Sequence, residues 1–233
     1  MTQGSMPELA TNICAVLFDN DGTLVDSEAL CNLALQQQFA NYGVELSLDE
    51  LILHYRGGKL SDIFNRLCFA HHIQRPVNYE LDYRTRLNVL FNAALKPIDG
   101  AADLLQHLQR NHFQLAVVSN GPPQKMRHTL GLCQLLPFFD SGDSSDKSGA
   151  DNSRLFSAYD CGLFKPDPGL YLDAIQRLGL KPCQCAIVED SLPGVQAGLA
   201  AGVRTYFLNH YAEDCPAGAI EIKHLSALKN IYG

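Results

Sequence analysis

The feature that most constrains the fold is an apolar run at residues 13–18 that stops at two closely spaced aspartates. A strand formed by this run would be apolar on both faces, which is typical of a central strand in a parallel sheet that is covered on both sides. Asp19 and Asp21 follow directly, and Gly22 allows the chain to turn away. Ligands of open α/β sheets bind beyond the carboxyl ends of the strands. We therefore expect both aspartates at a functional site.

Helical patterns replace strand patterns immediately after this first strand. The spacing of apolar residues and one capping signature predict four helices, at residues 28–42, 47–55, 60–71 and 79–94. The fourth helix is expected to place Leu81 and Phe91 on its buried side. This block predicts a helical cap domain that is inserted into a catalytic core. The predicted boundaries are 27–96 for the cap, and 13–26 with 97–233 for the core.

Strand and helix patterns alternate from about residue 99 onward. Apolar runs predict strands at residues 113–118, 155–156, 185–188 and 203–208, separated by helices at residues 101–110, 125–132, 168–178 and 192–201. Asp167 is expected to cap the third of these helices, with Pro168 as its first residue. The Ser-, Asp- and Gly-rich segment 140–153 is typical of a surface loop. The predicted fold class is α/β, a doubly wound, Rossmann-like parallel sheet with an inserted helical cap.

The composition restricts the partners of the chain. The formal net charge is −7 and the 18 Lys and Arg residues are scattered, which argues against nucleic acid and anionic membranes as partners. The first dozen residues are polar and the first apolar run is short, so we expect neither a signal peptide nor a membrane span. The eight cysteines lack C-x-x-C spacing, and we expect reduced core cysteines in a cytoplasmic protein.

Polar residues follow three of the predicted strands, and a lysine precedes one of the helices. They are Asp19 and Asp21, Ser119 and Asn120, Glu189 and Asp190, and Lys165. Parallel strands bring such ends to one edge of the sheet, where carboxylates 4 Å apart repel by roughly 1 kcal/mol in water and about 4 kcal/mol at intermediate dielectric. An all-oxygen set of this kind suits Mg²⁺. The predicted ligands are Asp19, the backbone carbonyl of Asp21, Glu189 and Asp190.

A cation, a lysine and neutral donors beside two aspartates indicate a phosphoryl site. Lys165, Ser119 and Asn120 are expected to bind the phosphate. Asp19 is then expected to attack phosphorus and form an aspartyl-phosphate. Asp21 would protonate the leaving oxygen and later deprotonate the water that cleaves this intermediate.

Four segments carry a family resemblance: residues 19–23, 119–121, 165–168 and 189–191. In order and spacing they resemble the four motifs of the haloacid dehalogenase superfamily, in the branch with a helical cap after the first motif. Within that branch, residues 19–28 and 119–126 are similar to bacterial 6-phosphogluconate phosphatases and related sugar-phosphate phosphatases. The segment 140–153 looks like an extra insertion relative to that pattern.

The resemblance implies a Rossmann-like core and dependence on Mg²⁺. It also implies that Asp19 is the nucleophile and Asp21 the acid and base. It assigns phosphate binding to Ser119, Asn120 and Lys165, and metal binding to Asp19, Asp21 and Asp190.

Several alternatives stay open at this stage. Asp21 argues against a dehalogenase, which needs no proton donor there. A phosphonate hydrolase needs a cap lysine that forms a Schiff base, for which Lys59 is the candidate in the cap loop. A β-phosphoglucomutase-type mutase uses nearly the same core and differs in how long the aspartyl-phosphate survives water. A non-catalytic protein that binds a phosphorylated metabolite is the alternative outside enzymes.

Substrate choice is expected to lie in the loop at residues 56–59 between two cap helices. Arg56 or Lys59 is predicted to meet a carboxylate or hydroxyl groups on the substrate, and Gly57 and Gly58 could act as hinges. The predicted function is Mg²⁺-dependent hydrolysis of a sugar phosphate or sugar-acid phosphate, with 6-phosphogluconate as one candidate. The expected partner is this small metabolite, and the chain is expected to act as a monomer.

Overall fold

Six parallel strands form one sheet at the centre of the computed structural model, which describes residues 13–55, 59–140 and 153–232. The strands are β1 (Ala15–Phe18), β2 (Gln114–Ser119), β3 (Leu155–Ser157), β4 (Cys185–Glu189), β5 (Arg204–Leu208) and β6 (Ile220–Ile222). Their spatial order is β3-β2-β1-β4-β5-β6. The chain therefore reverses its direction of sheet growth beside β1, which is where a doubly wound sheet binds its ligand. The predicted fold class is confirmed.

Strand β1 is buried on both faces, as its apolar run predicts. Val16 and Phe18 belong to one hydrophobic cluster, whereas Ala15 and Leu17 belong to another on the opposite face. All four residues are fully buried. A strand whose alternate side chains enter two cores cannot slip by one residue without moving every side chain to the wrong face, so the register of β1 is firmly set.

Ten α-helices lie within the described residues. They are α1 (Glu28–Ala40), α2 (Leu48–Tyr55), α3 (Leu60–Ala70), α4 (Tyr79–Ala94), α5 (Ala101–Arg110), α6 (Pro123–Leu132), α7 (Ala158–Cys161), α8 (Gly169–Arg177), α9 (Leu192–Ala200) and α10 (Ala227–Ile231). None of these described helices is both long and apolar enough to cross a bilayer.

Helices α1–α4 pack around a hydrophobic cluster of their own. Phe39, Phe64 and Phe91 are buried in it, and the ring centroids of Phe39 and Phe64 are 5.0 Å apart. Leu95, just after α4, packs against both this cluster and one of the sheet clusters. The separate cluster supports the proposal that residues 27–96 form a cap domain, although the two boundaries stay predictions.

Two local predictions were wrong. Leu81 is 66% exposed, because α4 buries Tyr83, Leu87 and Phe91 at four-residue spacing and thus turns Leu81 to the opposite side. Pro168 is the capping residue of α8 rather than its first helical residue. Asp167 accepts a hydrogen bond from the Gly169 N–H over 2.7 Å and so closes the turn before the helix.

Other differences concern short elements and the cysteines. The short elements β6, α7 and α10 have too few residues for a periodic pattern, and the sequence did not predict them. All eight cysteines are free, as expected, but Cys161, Cys183 and Cys215 are exposed rather than in the core. The predicted surface loop lies outside the described residues over 141–152.

Candidate active site

Strands β1, β2 and β4 bring the predicted polar residues to one edge of the sheet. Phe18 pairs with Val117 on one side and Val188 on the other, so the carboxyl ends of the three strands lie at the same level. The Asp19 N–H donates to the Val188 carbonyl oxygen over 3.0 Å and extends this pairing beyond β1. The prediction that polar residues of these three strands gather at one edge is confirmed.

Lys165 lies at the centre of this edge. Its Nζ atom donates to Asp19 Oδ1 over 2.6 Å, to Glu189 Oε1 over 2.5 Å and to the Val118 carbonyl oxygen over 2.6 Å. The side chain is only 3% exposed. Burial by itself would lower the pKa of Lys165, but Asp19 and Glu189 raise it above its ordinary value. The ammonium group therefore stays charged beneath the two carboxylates.

The side-chain amide of Asn120 holds the backbone of Lys165. Asn120 Oδ1 accepts from the Lys165 N–H over 2.8 Å, and Nδ2 donates to the Lys165 carbonyl oxygen over 3.3 Å. Ser119 Oγ accepts from the Gly121 N–H over 3.0 Å. Asn120 thus positions Lys165, and the predicted contacts of Asn120 and Ser119 with phosphate stay predictions.

Asp19, Glu189 and Asp190 form an acidic cluster in which one ligand atom from each lies within 4.8 Å of the others. Asp190 Oδ1 accepts from Thr23 Oγ1 over 2.9 Å, but its buried Oδ2 has no hydrogen-bond partner among the described residues. Burial raises the pKa of Asp190 well above its ordinary value, and Glu28 and the neighbouring carboxylates add to this. Burial also raises the pKa of Asp19, against the opposing effect of Lys165.

Lys165 neutralises charge on Asp19 and Glu189, but Asp190 has no cationic partner among the described residues. An unpartnered buried carboxylate oxygen costs free energy unless a cation or proton neutralises it. The donors are all oxygen atoms, which suits a hard cation such as Mg²⁺. Gly22 permits the arrangement, because a Cβ atom there would lie 2.2 Å from Asp190 Oδ2, and its φ of +77° also favours glycine. The residues present therefore fit the predicted metal.

Glu189 differs from Asp190 in that its oxygens already have partners. Oε1 accepts from Lys165 and from the Tyr171 hydroxyl over 2.7 Å, and Oε2 accepts from Ser191 Oγ over 3.1 Å. This favours Asp190 over Glu189 as a metal ligand, and ligation by Glu189 stays a prediction. Tyr171, on the buried side of α8, was not predicted from the sequence. A hydroxyl-bearing residue on that apolar face was the available signal.

Asp21 is held by two donors that converge on one oxygen. Oδ1 accepts from Ser27 Oγ over 2.5 Å and pairs with Lys125 Nζ at 2.8 Å. Burial would raise the pKa of Asp21, but Lys125, with hydrogen bonds from Ser27 and Asn20, brings it below its ordinary value. Sequence reasoning missed Lys125. The helix dipole disfavours a positive charge in the first turn of a helix, and a lysine at this position was the signal that could have drawn attention to Lys125.

A pocket opens between this edge of the sheet and helices α1, α3 and α4. Its core side includes Asp19, Asp21, Ser119, Asn120, Lys165 and Asp190. Its helical side includes Lys59, whose contact with the substrate stays a prediction, and Arg84, which was not predicted from the sequence. Lys59 Nζ lies 4.7 Å from the ring centroid of Phe164, and Arg84 pairs with Glu80 at 2.6 Å. Arg56 and the two predicted hinge glycines lie outside the described residues.

Comparison with known proteins agrees with this architecture. The chain is 34% identical over 198 residues to a 6-phosphogluconate phosphatase of Escherichia coli K12, covering 84% of this chain and 83% of that protein.

Two solved structures are also similar. One, from Thermotoga maritima, is described as a putative β-phosphoglucomutase, with 26% identity and a TM-score of 0.73 over 93% of this chain and 97% of that one. The other is a haloacid dehalogenase family hydrolase of Deinococcus radiodurans R1 with bound phosphate and sodium, with 28% identity and a TM-score of 0.67 over 94% of this chain and 88% of that one.

The superfamily that the four motifs predicted is confirmed by a family model as well as by these relatives. The model for haloacid dehalogenase-like hydrolases matches residues 13–202. This span begins just before β1 and includes the helical segment and all four motif segments. The chain belongs to the haloacid dehalogenase-like hydrolase family.

Proposed function

We propose that this protein is a Mg²⁺-dependent phosphatase that hydrolyses a small phosphorylated metabolite through an aspartyl-phosphate. The observation that carries the proposal is the placement of Lys165 between Asp19 and Glu189, next to the unpartnered oxygen of Asp190. A nucleophilic carboxylate, a fixed ammonium group and an acidic cluster that requires a cation meet at one end of a pocket. A phosphoryl group carries the negative charge that this arrangement requires.

In the first step, a carboxylate oxygen of Asp19 forms a bond to phosphorus while the bond between phosphorus and the ester oxygen breaks. The negative charge of a bound phosphate raises the pKa of Asp21 against the effect of Lys125, so Asp21 takes up a proton when the substrate binds and gives it to the departing alcohol oxygen. Lys165 holds the Asp19 carboxylate in place and stabilises charge on the phosphoryl oxygens. Mg²⁺, when held by Asp19, the Asp21 carbonyl and Asp190, supplies further positive charge there.

In the second step, a water molecule loses its proton to Asp21 and forms a bond to phosphorus. The bond between phosphorus and Asp19 breaks, which releases inorganic phosphate and restores the carboxylate. Both steps use the same two aspartates. At the end of the second step Asp19 is again a free carboxylate, and Asp21 again carries a proton. The short separation of Asp19 and Asp21 along the chain, at the end of a rigid central strand, supports this division of labour.

The proposed substrate class is sugar phosphates and sugar-acid phosphates. Sequence similarity to the 6-phosphogluconate phosphatase of Escherichia coli supports it. The helical side of the pocket carries Lys59 and Arg84, which can bind hydroxyl groups or a carboxylate at the end of the substrate away from the phosphate. We assign the same role to Arg56, as the sequence predicts.

A sugar-phosphate mutase is the second candidate, favoured by the similarity to the Thermotoga maritima structure. A mutase would use Asp19 and Asp21 in the same way, but it would transfer the phosphoryl group to a second sugar rather than to water. The two activities therefore differ in the product that receives the phosphoryl group.

Phosphate release from a substrate panel tests the proposal. The panel contains 6-phosphogluconate, hexose phosphates, nucleotides and p-nitrophenyl phosphate, each assayed with Mg²⁺ and with EDTA. We expect phosphate release that needs Mg²⁺, is highest for one of the sugar derivatives and is absent in Asp19→Asn. Correctly folded protein that releases no phosphate from any compound would favour a binding protein. Sugar bisphosphate formation without phosphate release would favour the mutase.

A further inference from the structure

Lys125 contacts the predicted acid and base of the reaction, yet the steps above do not use it. Its ammonium group pairs with Asp21 Oδ1 at 2.8 Å. It also lies 5.9 Å from the ring centroid of Phe91, a buried residue of α4. The side chain is 20% exposed and lines the pocket. Lys125 therefore sits between a helix of the cap segment and the carboxylate of Asp21.

The two oxygens of Asp21 have different surroundings. Oδ1 is bound by Ser27 and Lys125. Oδ2 would be 3.6 Å from a Cβ atom placed on Gly121, a position that is also 3.7 Å from Lys125 Cδ. The same Cβ atom would be 3.3 Å from Ser119 Oγ. Oδ2 and Ser119 Oγ thus both lie close to Gly121, whereas Oδ1 is the oxygen that the two donors hold.

We propose that Lys125 is a positioning residue that anchors Asp21 without help from the substrate, so that water rather than a second sugar receives the phosphoryl group. The proposal rests on the assignment of Asp19 and Asp21 made above. After the first step the alcohol leaves and removes any contacts it made with Asp21. Lys125 and Ser27 belong to the protein, and they remain.

The anchored carboxylate then acts as the base of the second step. Oδ2 takes a proton from a water molecule, the water oxygen forms a bond to phosphorus, and the bond between phosphorus and Asp19 breaks. A base that stays in place keeps the lifetime of the aspartyl-phosphate short. A mutase needs the opposite, because its intermediate must survive until a second sugar arrives. The anchor therefore favours the phosphatase over the mutase.

The placement of a lysine here has a cost that the anchor offsets. Lys125 lies in the first turn of α6, where the helix dipole disfavours a cation. Burial would lower the pKa of Lys125, but Asp21 raises it above its ordinary value. The ion pair with Asp21 thus keeps the charge at a position that the helix itself disfavours.

Rapid-quench kinetics with p-nitrophenyl phosphate test the proposal. The p-nitrophenolate leaving group departs without a proton from Asp21. The rate of the first step therefore depends on Asp19, and the rate of the second step depends on Asp21 as the base. We expect Lys125→Met to release about one p-nitrophenol per active site in a fast burst, followed by turnover roughly 100-fold slower than wild type, a typical contribution of a positioned base. Lys125→Arg should restore turnover in part, since it keeps the charge.

Lys223→Met is the matched control, because Lys223 is exposed and pairs with Glu221 on the surface. It should behave like the wild type, which we expect to turn over without a burst. A burst requires folded active sites, so its presence in Lys125→Met excludes unfolding as the cause.

Three results would overturn the inference alone, while leaving phosphatase activity intact. They are unchanged turnover in Lys125→Met, slower turnover without a burst, and an equal burst in the wild type. If the methionine variant folds poorly, Lys125→Gln is the second variant in which the burst is measured. Absence of a burst in both variants also contradicts the inference. The proposed function itself would be overturned if the wild type released neither p-nitrophenol nor phosphate from any compound of the substrate panel.

Discussion

The two sides of the pocket hold their charges in different ways. On the core side, the side chains of Lys165 and Glu189 are 3% and 0% exposed and are bonded to each other. On the helical side, the side chains of Arg84 and Glu80 are 31% and 47% exposed, and Lys59 is exposed as well. The loss of one partner from a buried pair costs about 3–5 kcal/mol, whereas exposed pairs contribute about 0–1 kcal/mol.

This difference separates chemistry from selection. Buried charges with several partners have fixed positions, which is what attack on phosphorus and proton transfer require. Partly exposed charges on long side chains can adjust to different substrates at little cost. We therefore expect substitutions on the core side to lower kcat strongly, and substitutions on the helical side to raise KM modestly. The following experiments test that contrast.

Asp19→Asn should have the largest effect. An amide cannot attack phosphorus, so we expect kcat for phosphate release to fall on the order of 10⁴-fold or more. The side chain keeps its shape, and the variant should still fold. Radiolabelled substrate should leave no phosphate on the protein after an acid quench. Turnover close to that of the wild type would remove the basis of the assignment.

Lys165→Met should lower both activity and stability. It leaves Asp19 and Glu189 buried without their common cation, so we expect a loss of about 3–5 kcal/mol in the free energy of unfolding. We also expect kcat to fall about 10³-fold, because the positive charge that holds Asp19 in place and stabilises the phosphoryl group is lost. Urea denaturation and phosphate release measure the two effects. Lys223→Met is the control and should change stability by less than about 0.5 kcal/mol.

Asp190→Asn should stabilise the protein in the absence of metal while it weakens the response to Mg²⁺. Because the folded state raises the pKa of Asp190, the folded protein binds this proton more tightly than the unfolded chain. Stability is therefore lost as the pH rises from the unfolded value, about 3.9, through the folded value.

At pH 8 without metal, we expect the asparagine variant to have a higher free energy of unfolding than the wild type, because it buries no carboxylate charge at this position. Mg²⁺ at 100 times its Kd should add about 2.7 kcal/mol to the wild type and much less to the variant. Thermal unfolding at pH 5 and pH 8, with Mg²⁺ and with EDTA, measures both effects. Equal stabilisation of both proteins by Mg²⁺ would exclude Asp190 as a ligand.

Changes on the helical side should have the smallest effects. We expect Lys59→Ala and Arg84→Ala each to raise KM for 6-phosphogluconate about 10-fold, the equivalent of one partly exposed charged hydrogen bond. The kcat should stay within about threefold, and glucose 6-phosphate, which lacks the carboxylate, should be affected less. Arg56→Ala carries the same expectation. If kcat/KM for the best substrate is unchanged, the residue concerned does not contact it.

Much of the core side could be predicted because its signals are local. An apolar run that ends in polar residues indicates both the buried strand and the sheet edge where the next residues emerge. Asp19 and Asp190 were identified in this way and Lys165 from its place just before a predicted helix, and the structure brings the three together. The helical side was harder, since α4 has a weak periodicity and the exposed Leu81 was assigned to the core.

Pairings between distant elements could not be predicted. Lys125 and Asp21 are about 100 residues apart along the chain, and their contact depends on the rotation of α6 against β1. The contact between Tyr171 and Glu189 and the two hydrogen bonds between the Asn120 side chain and the Lys165 backbone likewise join different elements, and neither was predicted. Periodicity indicates whether a side chain is buried. It does not indicate which neighbour the side chain contacts.

The sequence by itself determined five of the six strands, the order of the acidic strand ends and the family, because each depends on residues that are neighbours along the chain. The tertiary structure decided which charge neutralises which. It paired Lys165 with Asp19 and Glu189, paired Lys125 with Asp21, and left Asp190 with an unpartnered oxygen within the described residues. The reason is physical: the energy of a buried charge depends on distances of a few ångströms, and these are set only when the helices pack against the sheet.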